Sequence, residues 1–172
     1  MLLAKESHRL MEAFHRALHE NDLLELPPVH IHQGRVARLL THTFHIGAIT
    51  FGRHIFIKPE LTELDAEGKW TAPGWLVAHE TTHVLQYQRA GWIGFLLTYL
   101  REYWDGLREL KRWDAAARMA AYKAIRVECD ARDAEEAYAA WKARLAAESS
   151  TRRDSAGRVC VCPCGVQDAM SF

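Results

Sequence analysis

The sequence has no excess of one charge, few cysteines and no long hydrophobic run. Lysine plus arginine number 22, as do aspartate plus glutamate. No net field therefore draws the chain to phosphate backbones or an anionic membrane, and nucleic acid is not an expected partner. Of the four cysteines, Cys160, Cys162 and Cys164 crowd near the C-terminus and Cys129 stands alone, unlike a distributed disulfide framework. The greasiest stretch, Gly91 to Leu100, is about half of the ~20 residues a spanning helix requires. It predicts a helix packed on the core or roofing a cleft, and no transmembrane anchoring. Lys5, Glu6, His8 and Arg9 interrupt the first residues, so no Sec-type signal is recognisable and the cytoplasm is the expected location.

What is present suits one globular domain: 172 residues, 49% of them apolar, can bury a real core. Leu3, Leu10, Met11, Phe14 and Leu18 recur at helical spacing, predicting an amphipathic N-terminal helix with His8, His15 and His19 solvated. Pro27 and Pro28 end that unit, and Val29 to His32 alternates with the period of a strand. Gly34 to Phe44 returns to helical spacing. Ala48 to Ile57 is rich in β-branched and aromatic residues around Gly52-Arg53, which predicts a hairpin with glycine first in its turn. Glu60 to Lys69 reads as a loop or short helical turn. From Thr71, taken as the helix cap, with Pro73 in the first turn, a helix is expected to run to Arg89 and stop at Gly91.

Trp113 to Ala147 is alanine-rich and helical by propensity, as one helix or two. Past Glu148 the composition is that of a loop. The expected fold is therefore α+β, with a short N-terminal sheet and hairpin ahead of a mostly helical half. Its expected divisions are an N-terminal helix over 1–26, a domain over 27–148 and a flexible, cysteine-containing tail over 149–172.

The chemistry lies in His79-Glu80-Thr81-Thr82-His83. Histidines four apart on a helix project from one face one turn apart, so two imidazoles can meet one zinc ion. Glu80, about 100° round from His79, reaches a metal-bound water without binding the metal and is the candidate catalytic base. A catalytic zinc needs a third protein ligand. No histidine follows His83, so the choice falls on a downstream residue. Glu128 is favoured, on a helix that can pack antiparallel to the first. Cys129, Asp130, Asp133 and Glu135 compete with it, as do His30, His32, His42, His45 and His54 upstream.

These residues resemble the gluzincin branch of HExxH metalloproteins. More closely, they resemble the extracellular contractile injection system core domain, a small metallopeptidase-like domain. The resemblance is carried by Val29 to His32, the hairpin Ala48 to Ile57, Ala78 to Gln88, Ala90 to Leu100, and Val127-Glu128 with Ala131. It implies a zincin-like fold with zinc held by His79, His83 and Glu128, and Glu80 as base. Many gluzincins place an aspartate four residues after the ligand glutamate to orient the first histidine. Arg132 stands there in this chain, leaving Asp133 as the candidate substitute.

The expected activity is zinc-dependent hydrolysis of a peptide or protein substrate, endopeptidase rather than exopeptidase. Zinc would polarise the scissile carbonyl while Glu80 activates zinc-bound water. Tyr87, Tyr122, Arg126, Tyr138 and His54 are candidate oxyanion donors, and the strand ending His54 to Ile57 is a candidate edge for an extended peptide. The alternative is a zinc-stabilised, non-catalytic module associated with toxin or secretion components. A further reading has a tail thiolate occupying the open zinc position.

Overall fold

Ser7, Met11, Phe14 and His15 lie on one stripe of a helix, and α1 (Lys5–His19) buries that stripe against the rest of the chain. The structure, a computed structural model, describes residues 1–44, 46–156 and 169–171. His45 and the cysteines Cys160, Cys162 and Cys164 lie outside the described residues. After α1 come β1 (His30–His32), α2 (Arg35–Phe44), and the hairpin of β2 (Ala48–Phe51) and β3 (His54–Ile57). Gly52 opens the hairpin turn at φ 60, a conformation glycine adopts without strain.

β3 is the central strand of a three-stranded sheet, parallel to β1 and antiparallel to β2. The edge expected at His54 to Ile57 is thus closed on both sides. Among the described residues β2 pairs only with β3 and is the free edge. The alternation that marks a strand does not say which strands flank it.

The polar run after Pro59 holds a 3₁₀ turn (Pro59–Leu61) and a short strand, β4 (Glu63–Leu64). β4 pairs antiparallel with β5 (Trp70–Pro73). Thr71 is therefore no helix cap: it pairs with Glu63 and Ser171 within β5, and the helix begins at Gly74 with Pro73 in the capping position. The residue at 74 must be small. A Cβ there would lie 2.7 Å from Tyr138 Cε1 and 2.8 Å from its hydroxyl.

α3 (Gly74–Leu110) is helical on both sides of Gly91, which takes φ 70 and ψ 168. That conformation belongs almost wholly to glycine, so the expected stop is a kink from which the helix restarts. α4 (Ala115–Ala124) and α5 (Arg126–Ala156) follow as two helices. Asp114 caps α4 by accepting from Ala117 N at 2.9 Å. The stretch after Glu148, expected as loop, continues α5 to Ala156, since extending a formed helix is far easier than nucleating one. β6 (Ala169–Ser171) then joins β5, and Met170 sits in the core.

The main core unites Met11 and Phe14 of α1, Ile31, Ile55 and Ile57 of the sheet, Val77 and Val84 of α3, and Tyr138 and Trp141 of α5. His15 belongs to this interior. It is fully buried, with Nε2 2.8 Å from Thr81 Oγ1, which corrects the solvated position expected for it. Its charged neighbours Glu12 and Arg16 are only partly buried and pair with each other at 2.8 Å. No helix among the described residues is long and apolar enough to cross a membrane.

Candidate metal centre

α3 and α5 pack with Gln86 beside Val127, His83 beside Glu128 and His79 beside Glu135. Positions descend along one helix as they ascend along the other, so the pair is antiparallel. Small or branched residues on the inner faces (Ala78, Val77, Ala131, Ala134), all at 0% exposure, make that packing close. His79 and His83, one turn apart, then face the first turn of α5, where Glu128 is buried.

His79 Nε2 lies 3.8 Å from Glu128 Oε2, and His83 Nε2 lies 3.7 Å from Glu128 Oε1. His79, His83 and Glu128 each offer one ligand atom, all within 4.8 Å of one another. Two ligands bound at about 2.0–2.2 Å to a common ion can span the 3.7 and 3.8 Å gaps to Glu128.

The far side of each ring decides how well these residues fit a metal ion. His79 Nδ1 is 3.3 Å from Glu135 Oε2, and His83 Nδ1 is 2.8 Å from Gln86 Oε1. An acceptor on Nδ1 places the proton there and leaves the Nε2 lone pair pointing into the site, as a ligand histidine requires. Burial first, then His83 and Arg132, lowers the His79 pKa to about 4, which also keeps that ring neutral. Two imidazoles and one carboxylate, with their outer atoms engaged, form a donor set suited to a borderline divalent cation.

Glu80 lies on the inner side of α3 at 4% exposure. Thr50 of β2 donates to its Oε2 at 2.7 Å, so the sheet positions the carboxyl. Burial raises its pKa; His83 and the Thr50 hydrogen bond oppose that shift without cancelling it. On the other side, Tyr122 donates to Glu128 Oε2 at 2.8 Å, and the Tyr99 phenol lies close enough to Glu128 to feel its charge. Burial and the Glu128 charge push both phenols upward, so they remain O–H donors at neutral pH.

Residues 9–91 match the eCIS core domain. The match takes in α1 from Arg9 onward, the first sheet and the half of α3 that carries His79, Glu80 and His83. It ends at the kink. Glu128, and the resembling segments beyond Gly91, lie outside the matched part of the eCIS core domain, so the third ligand position rests on the geometry. Neither the curated proteins nor the solved structures contain a match to the chain.

The other candidates scatter around this centre. Cys129 Sγ faces Lys123 O and the Arg132 guanidinium, Asp130 meets Gln86 at 3.4 Å, and Arg126 faces Glu102. His30, His32 and His54 stand together on the sheet, and His42 is exposed on α2. Tyr138 packs in the core with Phe14 and Trp141, and Tyr87 stacks on Phe95 at 3.9 Å. Asp133 is exposed; Glu135, first considered as a ligand, is the carboxylate on His79 Nδ1.

Sequence reasoning missed the parts played by Thr50, Gln86 and Tyr99. Gln86 carried a signal, being three residues after His83 on the same helix face. Thr50 and Tyr99 carried none, because their positions depend on sheet–helix docking and on the Gly91 kink. The greasy stretch after that kink roofs the centre with one face, through Phe95, whose ring centroid is 6.0 Å from that of His83. Its other face is open: Ile93 is 73% exposed and Leu97 63%.

Proposed function

We propose that the protein is a zinc-dependent endopeptidase in which His79, His83 and Glu128 hold the metal and Glu80 moves the proton. A cation bound there would supply Lewis acidity, polarising a carbonyl and making water more acidic. The observation that carries the reading is Glu80: a buried carboxyl with a raised pKa, fixed by Thr50 beside the three ligand atoms but not among them. A carboxyl whose pKa burial has raised is suited to accept a proton from water and return it to a leaving amine.

Tyr122 donates its O–H to Glu128 and so holds that ligand in orientation, with Tyr99 beside it. The free edge of β2 supports a polypeptide substrate. Thr50 belongs to that strand and contacts Glu80, so an extended chain added to the edge would run past the base.

The test is cleavage of casein and of a quenched peptide library by zinc-loaded wild type and Glu80→Gln. The variant should keep its zinc and lose a factor of about 10²–10⁴ in rate. Equal, negligible cleavage by both would remove the peptidase reading and leave a metal-binding module.

A further inference from the structure

The register of the first sheet gathers a second set of imidazoles. β1 and β3 are parallel neighbours in which His30 is the partner of His54, and His32 of Phe56. Alternate residues on a strand share a face, and in-register residues of neighbouring strands share it too. His30, His32 and His54 therefore stand on the side opposite Ile31 and Ile55, which are 1% and 0% exposed in the core. His54 is the middle member, its ring centroid 4.9 Å from that of His30 and 5.3 Å from that of His32. His32 Nε2 and His54 Nδ1 approach to 3.0 Å.

We infer that His30, His32 and His54 form a second metal site, separate from the α3–α5 centre, that takes a borderline divalent cation such as Ni²⁺, Cu²⁺ or Zn²⁺. Imidazole nitrogens bound at about 2.0–2.1 Å to one tetrahedral ion sit roughly 3.3–3.4 Å apart, close to the spacing that His32 and His54 already hold. Their contact needs a neutral ring as acceptor, so a lone pair is already turned toward the partner. A modest rotation of the exposed His54 side chain converts the contact into a chelate, and His30, two residues from His32 on the same face and stacked on His54, must turn as well to bring in a third nitrogen. An all-imidazole set favours nickel, copper and zinc and disfavours magnesium and calcium, which take oxygen ligands.

The experiment is equilibrium dialysis of the full chain against Ni²⁺, with Cu²⁺ electron paramagnetic resonance as a second readout. Wild type should bind two equivalents of Ni²⁺. His83→Ala, which disables the α3–α5 centre, should bind one, and its Cu²⁺ spectrum should show coupling to more than one imidazole nitrogen. His32→Ala/His54→Ala should also bind one, and keeping that equivalent would show that it is folded. His54→Gln, which preserves a polar side chain at an exposed position, should weaken the second equivalent at least tenfold. The proposal is overturned if His32→Ala/His54→Ala binds as many ions as wild type, or if folded His83→Ala binds none. Neither result bears on peptide cleavage.

Discussion

Replacing His15 with glutamine removes a titrating ring from the interior and should change how the fold responds to acid. Thr81 Oγ1 donates to Val77 O at 2.7 Å, so His15 Nε2, 2.8 Å from the same hydroxyl, is the donor in their contact. The remaining nitrogen, Nδ1, is buried without a hydrogen-bond partner among the described residues. Protonating it places a charge in the core. Burial, then His19 and Arg89, accordingly lowers the pKa from 6.5 to about 3. Between those values the unfolded chain binds the proton and the folded chain does not. The stability tied to His15 is therefore complete above pH 6.5 and is lost as pH falls toward 3.

The loss is ~2 kcal/mol at pH 5 and ~5 kcal/mol at its limit, at 1.36 kcal/mol per pKa unit. Urea unfolding of wild type and His15→Gln at pH 7.5, 6 and 5, with chelator present throughout, isolates this contribution. The wild-type midpoint should fall further than the variant's by about 1 M between pH 7.5 and 5, for a slope near 2 kcal/mol/M. Parallel midpoint curves would refute the burial argument, whatever constant offset separates the two proteins.

Other substitutions test the centre and its supports. Glu135→Ala should weaken zinc binding by about 10- to 100-fold through the freed Nδ1 of His79, while Asp133→Ala leaves it unchanged, as read by competition with a chromogenic chelator. Gly74→Ala, whose Cβ would meet Tyr138 at 2.7 Å, should cost about 1–3 kcal/mol by overpacking in a urea titration. Gly91→Ala meets no atom within 4 Å, so a cost of about 1–3 kcal/mol there would be backbone strain alone; an unchanged midpoint would show that the kink does not need glycine.

The legible parts of the fold were those set by local pattern. The hairpin at Gly52 and the HExxH face follow from spacing and turn chemistry within a few residues, whereas Gly91 read as the end of its helix and is a kink from which the helix restarts. The illegible parts came from pairing between distant segments. Thr71 carries the side chain of a good helix cap, yet strand partners at Glu63 and Ser171 claim it. His15 sits among charged neighbours, yet Thr81, 66 residues away, supplies its interior partner. Glu135 lies two turns beyond Glu128 on the same face of α5, but which carboxylate reaches His79 depends on how α5 lies against α3.

Gly91 divides α3 into halves with separate tasks. The half before it fixes the spacing of His79, Glu80 and His83, and the half after it aims Phe95 and Tyr99 over them. The eCIS core domain match ends at that same residue. Substitutions beyond the joint can change what lies over the site while the spacing of the two histidines stays locked by a single helical turn. The spacing of the two histidines and the cover above them thus meet at one joint, and only the cover depends on its angle.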